Sequence, residues 1–249
     1  MTRLAPLPEL YLSPDAAAAM RAEAERLPAW DLDARQAAEL GLLLGGGFAP
    51  LRGYMTEQDH RAAREGQDGP WPLPFALQVG TGFAPGIEPG QDIALRDGSG
   101  VVAVLSVTDR WGQPALLGGK VKGLRRPGSG PTPNALRALF RGRGAGAVLA
   151  VQPLAQPEVD MAAPLAARLG AALLVQPPAG VVVNAPPGAV LAPLGLPLPQ
   201  GPRAALWQAL VARNHGATHL LLPDPAAQEV YRPHQDRIGL AMVLPQRSG

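Results

Sequence analysis

The stretch "AVLAVQPLAQPEVD", Ala147 to Asp160, decides how the second half of this chain is read. Its first five residues are apolar, and prolines follow them, which predicts a short strand buried on both faces. The continuation "PEVDMAAPLAARLG" has helical spacing, with a break or a start expected near Pro164. The next apolar run, "AALLV", predicts a second strand. Strands that alternate with helices in this way indicate a parallel sheet with crossover connections. Ligands of such sheets bind beyond the carboxyl ends of the strands. The position from Gln152 onward is therefore a place for chemistry, yet it holds prolines, an alanine, a leucine and two acids.

The same pattern extends in both directions. Downstream, "GPRAALWQALVARNHG" predicts a helix from Pro202 to Gly216, and "ATHLLL" a strand whose carboxyl end leads to Pro223 and Asp224. Between the two strand ends lies "QPPAGVVVNAPPGAVLAPLGLPLPQGP", with eight prolines in 27 residues. It reads as a compressed loop with room for a short strand at Val181–Val183. Upstream, Thr132 and Pro133 begin a helix that ends at Gly142. The break "RRPGSGPTPN" marks a boundary near Gly128, so the expected units are residues 1–128 and 129–249.

The first unit opens with helices. Ser13 and Pro14 have the order of an N-cap and a first helical residue, and Asp33 with Gln36 has capping-box spacing, with Gly45 as the stop. A third short helix fits "TEQDHRAAREG". Then "FALQV" and "DIALRDGSGVVAVLSVTD" turn to strand periodicity, the latter a hairpin closed by Asp97-Gly98-Ser99-Gly100. Short strands with Gly and Pro turns predict a small β-barrel or curled sheet behind the helices. The fold class is thus α/β, α+β overall: a helix-decorated barrel, then a parallel-sheet domain.

Composition narrows the function. Of 249 residues, 47% are apolar and 17% charged, enough for a core despite 30 Gly and 29 Pro. There is no cysteine, which excludes disulfides, thiolate metal sites and a Cys nucleophile. The opening residues contain no apolar signal core and no run is long enough for a membrane span, so a cytoplasmic protein is expected. Net charge is only +2, the one basic cluster is "KVKGLRRPG", and aromatic residues are 4%, which argues against nucleic acid as a partner. His215 and His219 have the spacing of two helical metal ligands, but Gly216 separates them and no third ligand is evident, so no metal site and no cofactor are assigned. Gly45-Gly46-Gly47 lacks the Lys-Ser/Thr of a phosphate loop.

Several segments together resemble the ATP sulfurylase (sulfate adenylyltransferase) family. "LAPLPELYLS", "WDLDARQAAELGLLLGGGFAPLRGYM", "WPLPFALQV" and "PGQDIALRDGSGVVAVLSVTD" are similar to its PUA-like N-terminal domain, most specifically in the GGF-x-PL-x-G-[FY] run from Gly46 to Tyr54. "TPNALRALF", "GPRAALWQALVARNHGATHLLL" and "RPHQDRIGLAMV" resemble its catalytic nucleotidyltransferase domain, which is Rossmann-like. The resemblance implies a reaction of ATP with sulfate that yields adenylyl sulfate and pyrophosphate. It also implies two motifs at the two strand ends, Q-T-R-N-P-x-H-x-x-H and G-R-D-H-A-G.

Here both motifs are lost. Gln152 begins the first, but Pro153, Leu154 and Ala155 stand for Thr, Arg and Asn, and the histidine positions fall on Glu158 and Met161. The second reads Leu222-Pro223-Asp224-Pro225-Ala226-Ala227, leaving Asp224 and Ala226. Arg203, in "GPRAA", matches the family's GPRE element. Removing one transition-state donor costs about 10²–10³ in rate, and here an arginine and two histidines are absent. Glu158 and Asp160 instead place negative charge in the first helical turn, where anions would bind.

The resemblance therefore implies a shortened member with no assigned catalytic residue and four remnant nucleotide- or sulfate-binding candidates: Gln152, Arg203, Asp224 and Ala226. It would act as a binding or partner subunit of sulfur assimilation. The ligands to consider are ATP and adenylyl sulfate, and the protein partners an active ATP sulfurylase, an APS kinase or further copies of itself. Two rivals stand beside it. One is an active enzyme using Arg125, Arg126, Arg203 or a second subunit, and the other an RNA-binding PUA-like module.

Overall fold

The computed structural model describes residues 5–128 and 130–245. The chain divides into two compact units, Pro8–Ser129 and Met1–Leu7 with Gly130–Gly249.

In the first unit, local sequence signals set the helices α1 (Pro14–Ala24), α2 (Ala34–Leu44) and α3 (Glu57–Arg64). The start of α2 is a reciprocal pair: Asp33 Oδ1 accepts from the Gln36 N–H at 2.7 Å, and Gln36 Oε1 accepts from the Asp33 N–H at 3.2 Å. It ends where the sequence indicates. Gly45 is the C-cap, and Gly46, with φ of 83°, makes the left-handed turn that lets Gly46 and Gly47 donate back to Leu43 and Leu42.

Six strands form a mixed sheet: β1 (Ala29–Asp31), β2 (Gly53–Tyr54), β3 (Leu77–Val79), β4 (Asp92–Asp97), β5 (Gly100–Trp111) and β6 (Ala115–Gly123). Their order is β1-β4-β5-β6-β2, with β3 also on β6, and only β1 and β4 run parallel. Register shifts at Leu95/Arg96 and Val107/Asp109 mark irregularities that bend the long strands. The β4–β5 hairpin closes at Asp97 and Gly100 as its sequence indicates, with Asp97 Oδ1 accepting from the Ser99 N–H at 2.7 Å. Trp71, Phe48, Phe75 and Tyr54 pack as a row of rings with centroids 5.0–5.2 Å apart in successive pairs.

The second unit comprises α4 (Pro133–Gly142), β7 (Val148–Val151), α5 (Gln156–Arg168), β8 (Ala172–Val175), β9 (Val190–Leu191), α6 (Ala204–Asn214), β10 (His219–Leu221), α7 (Pro225–Tyr231), α8 (Gln235–Ile238) and β11 (Ala241–Val243). The sheet order is β11-β10-β7-β8-β9 and every pair is parallel. The chain thus winds outward from β7 through β8 to β9, returns to the other side of β7 at β10, and ends at β11. This is the order of a doubly wound, Rossmann-like domain, with its switch point between β7 and β10. All four β7 residues are buried, as the unbroken apolar run requires.

Two local expectations are corrected. Val181–Val183 form no strand: the edge of β8 is taken by Val190–Leu191, and Ala192 extends that pairing by donating to the Val175 carbonyl at 2.8 Å. The loop before it is fastened to α5 instead, where Gln156 Oε1 accepts from the Asn184 N–H at 2.8 Å. Nor does Pro164 break α5, which is continuous through it. The missing N–H costs one helical bond. Burial of Val159, Ala162, Leu165 and Ala166 against Leu149, Val151, Leu173 and Val175 offsets that loss.

Ala5 to Leu7, which the sequence groups with the first unit, go with the second. Asn134 on α4 exchanges two hydrogen bonds with the Leu7 backbone at 2.8 and 2.9 Å, and Arg137 donates from Nε and Nη2 to the Ala5 carbonyl. Among the described residues, no helix is long and apolar enough to cross a membrane.

A close backbone approach in the first unit yields a prediction. A Cβ at Gly53 would stand 2.0 Å from the Gly119 carbonyl oxygen across the β2–β6 pair. Gly53→Ala should cost about 3 kcal/mol of stability by overpacking, read as a lower denaturation midpoint in urea. An unchanged midpoint would mean that β2 and β6 lie farther apart than described.

Candidate functional site at the carboxyl edge of the parallel sheet

Three strand ends converge here. Beyond β7 lies Gln152, beyond β8 Gln176, and beyond β10 the run Leu222-Pro223-Asp224. Gln176 extends the β7–β8 ladder by donating its N–H to the Val151 carbonyl at 2.9 Å. The two glutamine side chains meet: Gln152 Nε2 donates to Gln176 Oε1 and to the Gln208 carbonyl, each at 3.3 Å. Gln152 is 6% exposed and Gln176 fully buried. Gln152 Oε1 and Gln176 Nε2 are buried without a hydrogen-bond partner. An acceptor and a donor left so are costly, about 1–3 kcal/mol each, and such groups mark a place that a ligand can complete.

The helix that follows β7 has a weak natural cap, because Ala155 at the N-cap has no side-chain acceptor. Glu158, in the first turn, reaches back past the cap, its Oε2 accepting from the Leu154 N–H at 2.8 Å. Asp160 is turned aside and accepts from Gln156 Nε2 at 2.8 Å. Across the switch point, Asp224 caps α7, with Oδ1 accepting from the Ala226 N–H at 3.0 Å. A carboxylate of the protein's own thus stands at each of the two helix starts. At α5 it places negative charge beside the helix N-terminus, where the dipole would otherwise favour an incoming anion.

These elements and the Pro-rich segment enclose a cleft of about 830 Å³. Gln152, Glu158, Asp224 and Ala226 line it, with Gln200 and Gln208 as further polar groups and Leu154, Val181, Pro178 and Val230 among its apolar walls. Among the described residues that line it, none is Arg, Lys or His. Of the four candidates from sequence, Gln152, Asp224 and Ala226 come together on this cleft. Arg203 does not: it is the N-cap of α6, between the lining residues Pro202 and Ala204. Arg125, a candidate substitute cation, is paired with Asp97 and also donates to the Gly100 carbonyl at 3.1 Å, inside the first unit. Sequence reasoning missed Gln176 and Gln208. Gln176 was findable, since it follows the apolar run "AALLV" as Gln152 follows "AVLAV"; Gln208 acts through its backbone and leaves no sequence signal.

The architecture defines a mixed-sheet unit followed by a doubly wound α/β unit with a cleft at its switch point. Residues 3–120 match the family model of a PUA-like domain. The chain is 27% identical to a sulfate adenylyltransferase of Eremothecium gossypii, over 80% of its own length and 52% of that relative. It is also 27% identical to one of Gibberella zeae, over 90% and 53%, and 30% identical to one of Phaeosphaeria nodorum, over 81% and 46%. A solved structure titled "Hexameric APS kinase from Thiobacillus denitrificans" superposes with a TM-score of 0.83 at 30% identity, covering 97% of this chain and 55% of that one. The chain thus carries a stretch that matches a PUA-like domain and is similar over most of its length to sulfate adenylyltransferases. It spans about half the length of the curated relatives it matches.

The histidines have duties elsewhere. His215 ends α6, is 4% exposed, and its Nδ1 lies 2.7 Å from the Val211 carbonyl oxygen. His219 Nδ1 lies 2.8 Å from Thr218 Oγ1. Among the described residues, no group of three or more His, Cys, Asp or Glu is placed to hold a metal ion. Burial pushes the His215 imidazole down to about 4, the Val211 carbonyl opposing this and Arg137 adding to it. The folded state thus resists a proton that the unfolded state accepts from about pH 6.5 downward. Stability should be fully present above that pH and fall by roughly 3 kcal/mol on acidification to pH 4. Urea unfolding across this range checks it: His215→Gln should flatten the dependence, and an equally steep dependence in that variant would exclude His215 as its source.

Proposed function

We propose that this chain is a non-catalytic relative of sulfate adenylyltransferases that serves sulfur assimilation in the cytoplasm as a binding or partner subunit. One observation carries the reading: the cleft at the switch point has two carboxylates and no cationic side chain among its described lining residues. Adenylyl transfer to sulfate brings sulfate, the α-phosphate and the leaving pyrophosphate together, and their charge must be met by cations and N–H donors. Glu158 takes the N–H of Leu154, just before α5, and Asp224 takes that of Ala226 at the start of α7. At 4 Å, like charges repel by about 4 kcal/mol in a partly screened site. The same repulsion weighs against ATP or adenylyl sulfate as a tight ligand and favours a protein partner.

The likeness to sulfate adenylyltransferases and to an APS kinase supports an active enzyme of either kind as that partner. The hexameric description of the APS kinase supports self-association as well. An RNA-binding role has less behind it, because Arg125 of the basic cluster is already paired with Asp97.

The direct test incubates the purified protein with adenylyl sulfate and pyrophosphate and measures ATP, beside a known sulfurylase. No ATP above background is expected from the folded protein; sustained formation would show that substitute groups restore the reaction. Affinity capture from the protein's own cells should recover a sulfurylase or an APS kinase, and recovery of neither would remove the partner role.

A further inference from the structure

The cleft that is poor for anions is well made for the opposite charge, and we propose that it binds a small organic ammonium ion with an apolar body. The inference rests on the reading of this cleft as stripped of its anion chemistry. Its volume of about 830 Å³ is that of a small-molecule site. The walls are mostly Leu, Val, Pro and Ala, and Leu154 stands 62% exposed on them. Such a surface takes the apolar body.

The polar groups set the sign of the head. Glu158 and Asp224 each commit one carboxylate oxygen to a backbone N–H, Oε2 to Leu154 and Oδ1 to Ala226. The second oxygen of each is left for a donor. Gln152 provides an independent sign: it lines the cleft, is 6% exposed, and its Oε1 is a buried acceptor with no partner. Two carboxylates and a vacant amide oxygen all ask for N–H donors, and a carboxylate or phosphate head would satisfy none of them. Among the described lining residues there is no cation to compete for these oxygens.

The test uses two ligands of one shape and opposite charge, tryptamine and indole-3-propionate, titrated into the full chain by calorimetry at low salt. Tryptamine should bind saturably, and indole-3-propionate about tenfold more weakly or worse. In the Glu158→Gln, Asp224→Asn double variant the preference should disappear. The amide oxygens can still accept from Leu154 and Ala226, so thermal unfolding should stay near that of the parent. Equal or tighter binding of indole-3-propionate, no saturable binding of tryptamine, or an unchanged preference in a folded double variant would each overturn the inference. The comparison on the parent protein needs no variant. Its failure is separate from that of the functional reading, which ATP formation or failed capture of a partner enzyme would overturn.

Discussion

The parallel pairing of β10 with β7, His219 beside Leu149 and Leu220 beside Ala150, is the constraint from which the rest of the site follows. Both strands are central and buried, so neither can shift register without exposing apolar side chains. The chain leaves them in opposite directions, through α5 to β8 on one side and through α7 to β11 on the other. Divergent connections leave a crevice above the shared edge. Gln152 and Asp224 face that crevice because each is among the first residues after its strand. The Pro-rich segment adds a wall: Ala179 donates to the Leu196 carbonyl and Leu194 to the Pro177 carbonyl, which folds it back on itself beside the opening.

What occupies the crevice decides its chemistry. A helix N-terminus with unsatisfied N–H groups attracts an anion, worth about 0.3–1 kcal/mol through the dipole and more when the groups are hydrogen-bonded. At α5, Glu158 already sets a carboxylate in the first turn, bonded to the Leu154 N–H just before the helix. An incoming phosphate or sulfate would meet that tethered negative charge, with no guanidinium or imidazole on the described lining to compensate.

The parts of the fold legible in the sequence are those fixed by neighbours in the chain. Thr132 caps α4, Asp33 and Gln36 close a box on α2, and Asp97 and Gly100 close a hairpin, all over spans of three residues. The two strand ends that carry the cleft were legible too, because an apolar run between turn residues announces a buried strand. What failed was decided at long range. Val181–Val183 has the better strand composition, yet Val190–Leu191 gains the pairing with β8, while Gln156 ties the earlier loop to a helix. Pro164 reads as a helix breaker, and only the buried face of α5 against the sheet overrides it. At the site, the acidity of Glu158 was visible, but its bond to Leu154 and the facing amides of Gln152 and Gln176 required coordinates. Arg203, chosen by resemblance, sits beside the cleft lining and not on it.

The central claim is that the carboxylates of this cleft keep anions out. Titration of pyrophosphate into the folded chain by calorimetry tests it most directly, with Glu158→Ala measured alongside. The account predicts no saturable heat with the parent protein at millimolar pyrophosphate, and a measurable gain once the carboxylate beside the start of α5 is removed. Saturable, stoichiometric binding to the parent protein, unaffected by the replacement, would contradict it.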